Sequence, residues 1–183
     1  MNVEQLSPEE VDWVLKKLQQ KKSSDGGLGV SFRGHVSAVC REEKTGEEIW
    51  KLDQHNVITE WMRIQYFFGN DALYQAIIMI TPCTETPDAR RWSVGGSVGA
   101  DVFNSSWLTA TLNNVDHSHT FSYVFGTPSV NHTVGNIGIT NRNSIDWYAG
   151  AHYTAYSLVT PPKFRTTSQT LEVTYKIFMQ AIG

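Results

Sequence analysis

A mainly β domain, a β-sandwich or jelly-roll-like fold carrying an N-terminal amphipathic helix and one short internal helix, is the fold class the sequence predicts. Three observations support it. Short runs of alternating apolar and polar residues recur from Val30 to the last residues. Gly, Pro, Asn and Ser clusters separate those runs at short spacing. Only two segments, near residues 5–20 and 58–68, carry helical periodicity.

The first element is the N-terminal helix. Ser7 is placed as its N-cap, Pro8 takes the first helical position and Glu10 completes a capping box. Leu6 and Val11 are spaced to staple that cap, and Val11, Val14, Leu15 and Leu18 fall on one face. A helix of about four turns is marginal alone in water, so it must dock, on its own domain or on a neighbouring subunit. Residues 21–29, Lys-Lys-Ser-Ser-Asp-Gly-Gly-Leu-Gly, have the composition of a flexible linker. The chain therefore divides into a helical arm with linker, residues 1–29, and a β-rich domain, residues 30–183.

Val30 to Val39 forms a β-rich run and Glu47 to Leu52 a second. The charged turn between them offers Gly46 for positive φ. Residues 58–68, Ile-Thr-Glu-Trp-Met-Arg-Ile-Gln-Tyr-Phe-Phe, suit a buried helix capped by Thr59 and stopped at Gly69-Asn70. Tyr74 to Thr81 is an apolar strand ended by Pro82. Alternation returns in Thr109–Leu112, Thr120–Phe125 and Tyr153–Val159, with turns at Gly126-Thr-Pro-Ser and Asn141-Arg-Asn-Ser. The strongest strand is the last: Leu171, Val173, Tyr175 and Ile177 share one face, and Glu172, Thr174 and Lys176 the other.

Composition narrows the function classes. With 183 residues the chain can bury a core without metal or disulfide. A net charge of −3 gives no broad basic face for duplex nucleic acid. The N-terminus lacks a signal-peptide pattern, and Ala76–Ile80, the most apolar stretch, is too short to span a bilayer. The expectation is synthesis in a reducing cytosol, with Cys40 and Cys83 as buried thiols. The triplets Asn104-Ser-Ser and Asn131-His-Thr would then carry no sugar.

Candidate chemistry is sparse. Asp116-His117-Ser118-His119 could present two histidines on one strand face, with Asp116, His132 or His152 as further metal ligands. Two histidines at a turn entering a strand are, on balance, surface or interface residues. Asp101, Ser105 and Ser106 lack a nucleophile-elbow motif. Glu42-Glu43 and Glu47-Glu48 read as a solvated hairpin tip rather than a pair of catalytic carboxylates. Gly95-Gly96-Ser97-Val98-Gly99 lacks the lysine of a phosphate loop. No catalytic residue, cofactor or metal is expected, and the chain is read as a non-enzyme.

Residues 93–160 point elsewhere. Only Asp101, Asp116, Arg142 and Asp146 carry charge there. Trp107, Trp147, Tyr148, Tyr153 and Tyr156 lie in the same region, and Trp92 directly before it. Interfaces are depleted in charge and enriched in aromatics at their centres. The same aromatics suit a core or a sugar-stacking platform. The candidate interface residues are Val11, Val14, Leu15, Leu18, Trp107, Trp147 and Tyr148.

The order of the pieces carries a resemblance. A hairpin with the turn Thr45-Gly46-Glu47 leads into His55-Asn56-Val57-Ile58-Thr59, a short helix and an apolar strand. A Ser/Thr/Asn-rich middle follows, with Asn136-Ile-Gly-Ile-Thr late in it. The end is Pro162-Lys163-Phe164-Arg165-Thr166 followed by Gln169-Thr-Leu-Glu-Val-Thr-Tyr-Lys-Ile. Over roughly residues 30–183 this is similar to small virion structural proteins of tailed bacteriophages, of the neck, tail and head-decoration kinds. The resemblance implies a virion subunit in a symmetric homo-oligomer, partnered by its own copies and by neighbouring virion proteins, with no catalytic residues and no membrane partner. The alternative is a carbohydrate- or receptor-binding β-sandwich module.

Overall fold

The computed structural model describes residues 29–58, 75–82, 102–103, 108–140 and 155–182. These residues are mainly β, in antiparallel pairings, with no helix among them. The strands are β1 (Gly29–Glu42), β2 (Glu48–Ile58), β3 (Gln75–Thr81), β4 (Val102–Phe103), β5 (Leu108–Thr109), β6 (Thr111–Asn113), β7 (Ser118–Phe125), β8 (His132–Thr140), β9 (Ala155–Arg165) and β10 (Gln169–Ile182). Their order is β4-β3-β8-β9-β2-β1-β10-β7-β6, with β5 paired to β3. The two longest strands, β1 and β10, are paired over 14 residues from Gly29↔Ile182 to Glu42↔Gln169.

The inner face follows from the period of two. On β10, Leu171, Val173, Tyr175 and Ile177 are buried, as the alternation predicts. Their partners on β1 are Cys40, Ala38, Val36 and Gly34, all buried, and on β7 Phe125, Tyr123, Phe121 and His119. One cluster joins the apolar side chains among these to Ile58 of β2, Ile78 and Ile80 of β3, Val134, Ile137 and Ile139 of β8, and Val159 of β9. The Tyr175 hydroxyl, buried at the centre, donates to the Ile137 carbonyl at 3.3 Å. That bond spares a buried hydroxyl the cost of lying unpaired in an apolar interior.

Several expectations change. Strand β1 begins at Gly29, one residue before the expected boundary at 30. Strand β2 runs six residues beyond Leu52, to Ile58, which is its last residue and not the start of a helix. The inward positions there hold Gln54 and Asn56, so the polar/apolar pattern is lost although the strand continues. Gln54 is accommodated because its amide donates to Ser157 Oγ and to the Leu158 carbonyl, the latter at 2.6 Å. Strand β9 extends past Val159 through Pro161 and Pro162 to Arg165. Its pairing with β8 shifts register between Val134 and Asn136, which takes the prolines out of the ladder. The N-terminal helix and linker, and the rest of the internal helix expected over 58–68, lie outside the described residues.

Candidate interaction surface

At one end of the β1–β10 pair three connections meet: the β1–β2 hairpin, the β9–β10 turn and the β7–β8 loop. The hairpin is closed by bonds from the Gly46 amide to the Glu42 carbonyl at 2.8 Å and from the Glu42 amide to the Glu47 carbonyl at 2.9 Å. Gly46 has φ of 72°, the left-handed conformation its position anticipated. The Thr45 hydroxyl accepts from the Glu47 amide at 3.3 Å. The hairpin is tied to the β9–β10 turn by the Glu43 amide on the Ser168 carbonyl at 2.9 Å and by the Ser168 hydroxyl on Glu42 Oε2 at 3.0 Å. The β7–β8 loop joins through Asn131 Oδ1, which accepts from the Thr167 amide at 2.9 Å.

Beneath these turns lies a buried cation. Arg165, at the end of β9, is 0% exposed and is the largest fully buried side chain described. Its Nε donates to the Gln169 carbonyl at 3.1 Å, and its Nη2 to the carbonyls of Phe125, at 2.9 Å, and Gly126. Nη1 makes no hydrogen bond. A guanidinium cannot shed its charge in a protein, so the carbonyl oxygens must stand in for water. Burial depresses the Arg165 pKa, opposed by Cys40. Gln169 extends the network: its Oε1 accepts from the Thr166 amide at 3.0 Å and from the buried Cys40 thiol at 3.6 Å. Desolvation pushes the Cys40 thiol pKa up, with the Arg165 charge opposing and Glu42 adding to the rise. His132 pairs with Arg165 in register and is buried. Desolvation holds its pKa down, opposed by the Val130 backbone and reinforced by the Arg165 charge.

This clamp fixes the ends of β7, β9 and β10, and so positions what projects around it. Phe164, beside Arg165 and on the opposite face of β9, is 56% exposed. Val130, in the β7–β8 loop, is 67% exposed and Ile49, at the base of the hairpin, 44%. Ile49 is skipped where the β1–β2 register shifts, between the pairs Cys40↔Trp50 and Arg41↔Glu48. The Trp50 indole N–H donates to the Phe164 carbonyl at 3.2 Å and so holds β9 to the hairpin base. The hairpin tip itself presents Glu43, Glu47 and Glu48 to solvent, with Lys44.

The outer face of β2, β1, β10 and β7 carries mostly polar side chains in register, with Val39 and the exposed Val124 in the row of Glu172. His55, His35, Lys176 and Thr120 form one cross-strand row, and Asp53, Ser37, Thr174 and Ser122 the next. His35 Nε2 lies 2.7 Å from Asp53 Oδ1, and the His35 and His55 rings meet edge to face with centroids 5.6 Å apart. Lys176 Nζ lies 2.6 Å from Asp116 Oδ2 and 4.8 Å from the Phe178 ring centroid. The bonds from Lys176 and Ser118 hold the Asp116 carboxyl below the usual carboxylate range.

Comparison of the chain with protein-family models, curated proteins and solved structures finds no match.

Of the candidates from sequence, Val11, Val14, Leu15, Leu18, Trp107, Trp147 and Tyr148 lie outside the described residues, as do Cys83, Asp101, Ser105, Ser106 and the Gly95–Gly99 run. His117 and His119 do not share a strand face. His117 is the exposed last residue of the turn, with φ of 51°, and β7 starts only at Ser118, while His119 is buried on the inner face. The short turn Asn113–Asp116 thus runs one residue further than the alternation suggested, and the left-handed backbone at His117 breaks the alternation. Among the described residues no group of three or more His, Cys, Asp and Glu side chains could hold a metal ion. The glutamates at 42, 43, 47 and 48 do flank the hairpin tip. Sequence reasoning missed Phe164 and Val130 as exposed residues at one end, and Arg165 and His132 as buried residues beneath them. Phe164 and Arg165 follow two prolines that mask the strand, and the loop segments come together only through the fold, by the pairing of His132 with Arg165 and the bonds of Arg165, Asn131 and Ser168.

Proposed function

We propose that this chain is a non-enzymatic structural subunit that works by protein–protein assembly, as a neck, tail or head-associated component of a bacteriophage virion. The carrying observation is the set of exposed apolar side chains Phe164, Val130 and Ile49 at one end, borne on segments tied together by Arg165, Gln169 and the hairpin bonds. A preorganised apolar group loses little conformational freedom on docking, so more of its burial appears as affinity. The low charge of residues 93–160 and the order of the sequence motifs support the same reading. In this reading residues 30–183 form a β-sandwich or jelly-roll-like domain and residues 1–29 an arm. A single core fed by β1, β7 and β10 as well as β3, β8 and β9, crossed by the Tyr175–Ile137 bond, favours two facing layers. The partners are other copies of the chain and neighbouring virion proteins, with no nucleic acid, membrane or cofactor, and the chain is made in the host cytoplasm. Native mass measurement at micromolar concentration tests it. A discrete multimer is the expected result, and a monomer at every concentration would remove the proposal.

The outer polar face favours a second reading, a carbohydrate- or receptor-binding module. The exposed Ser122 and Thr174 hydroxyls lie 3.1 Å apart within a row that ends at Asp53. A monomer that binds glycans, with loss of binding in Asp53→Ala, would favour the module over the subunit.

A further inference from the structure

We infer that the apolar and acidic end formed by the hairpin, Phe164 and Val130 is the receptor for the N-terminal arm, residues 1–22, of a neighbouring copy of this chain. The inference rests on the assembly reading and names its contact. Two complementarities point to the occupant. The hairpin exposes Glu43, Glu47, Glu48 and Ile49, and the segments tied to it expose Phe164 and Val130 at the same end. The later part of the arm sequence carries the converse pattern: along the apolar stripe Val11, Val14, Leu15 and Leu18, Lys16 and Lys17 fall before its last member and Lys21 and Lys22 after it, whereas the acidic residues Glu4, Glu9, Glu10 and Asp12 lie toward the other end. Cations at the C-terminal end of a helix also oppose its dipole, so that end is the one suited to an acidic surface.

Reach decides which copy supplies the arm. The arm joins the domain at Gly29, the first residue of β1, whereas the acidic tip follows Glu42, its last. At ~3.3 Å per residue, that strand puts the two ends roughly 40 Å apart. The leash from Lys22 to Gly29 spans at most about 25 Å when taut and averages about 15 Å as a coil. Lys21 and Lys22 therefore fall short of their own tip even at full stretch. A neighbour stacked head to tail brings its tip to the start of β1, and the leash then needs no stretching. Such a contact is heterologous: one end of each copy meets the opposite end of the next, and it closes as a ring or continues as a filament.

Charge reversal in the full chain tests this. One variant reverses the arm (Lys16→Glu, Lys17→Glu, Lys21→Glu, Lys22→Glu) and the other the tip (Glu43→Lys, Glu47→Lys). Glu42 and Glu48 are left in place because Ser168 and Arg41 engage them. Size and mass are followed by light scattering after size exclusion, with cooperative melting as the check on folding. Each variant alone is expected to lose the assembled species, and an equimolar mixture to regain it, because each arm then meets a tip of opposite charge. Should either reversal fail to melt cooperatively, the neutral pairs Lys21→Gln/Lys22→Gln and Glu43→Gln/Glu47→Gln replace it, and each must weaken assembly. If both reversed variants assemble like the unaltered chain, or if their mixture stays monomeric, the arm–tip contact is wrong while the assembly reading stands. If the unaltered chain is itself monomeric, the assembly reading fails first.

Discussion

Gly34 and Asn56 face each other across β1 and β2, and the glycine is there for the amide. A Cβ on Gly34 would stand 1.5 Å from Asn56 Oδ1 and 2.3 Å from its Cγ. Gly34→Ala should therefore cost about 1–3 kcal/mol, the usual penalty for overfilling a packed site. Asn56→Ala in the same chain should recover most of it, since the Asn56 amide has no hydrogen bond to lose. Chemical denaturation of the two single variants and the double variant measures that coupling. His132 gives a pH prediction. Its pKa in the fold lies below the ordinary value of 6.5, so protonation favours the unfolded chain. Stability should be intact above about pH 6.5 and fall below it, by at most about 1.4 kcal/mol per pH unit for one proton. The carboxyl of Asp116, lowered from 3.8, acts only in more acid solution, so the two limbs are separable. Melting temperatures between pH 7 and 5 should slope downward in the unaltered chain and lie flatter in His132→Gln. Neither pair was legible in the sequence, because Asn56 and His132 meet their partners only through strand register.

The β1–β2 hairpin shows what was legible at the level of elements. A charged turn with one glycine between β-rich runs was enough to place it, and Gly46 takes the positive φ that a tight reversal needs. Gly46→Ala should destabilise the fold by about 1 kcal/mol, and Gly46→Asn by less, since asparagine tolerates that backbone. A lowered urea midpoint with an unchanged slope would show the effect to be local. The final strand was legible for a different reason: it has one fully apolar face and one polar face. Strands β2 and β9 were cut short in the sequence reading. Inward Gln54 and Asn56 imitate a surface, and Pro161-Pro162 imitate a strand end, although Gln54 is satisfied by Ser157 and Leu158 and the prolines sit where the β8 pairing shifts.

For the molecule as a whole, the β class and most of its strands could be read from periodicity, but the candidate surface could not. Its apolar residues come from three segments distant in sequence, and the arginine that unites them would rank on composition as an exposed residue. The sheet order also sets when the fold can form. The two longest strands, β1 and β10, are neighbours in the sheet, and even the bond that closes their near end, Ser168 to Glu42, joins residues 126 apart in sequence. A ribosome adding roughly 5–20 residues per second takes on the order of 6–25 s to cover that interval. Throughout it β1 has only β2 for a neighbour, and the edge it will later give to β10 stays open to any other extended chain. Polysomes place many such edges side by side. Crowded synthesis is thus a hazard for this topology, and slower initiation, which spaces the nascent chains, should raise the soluble yield more than slower elongation, which lengthens the wait.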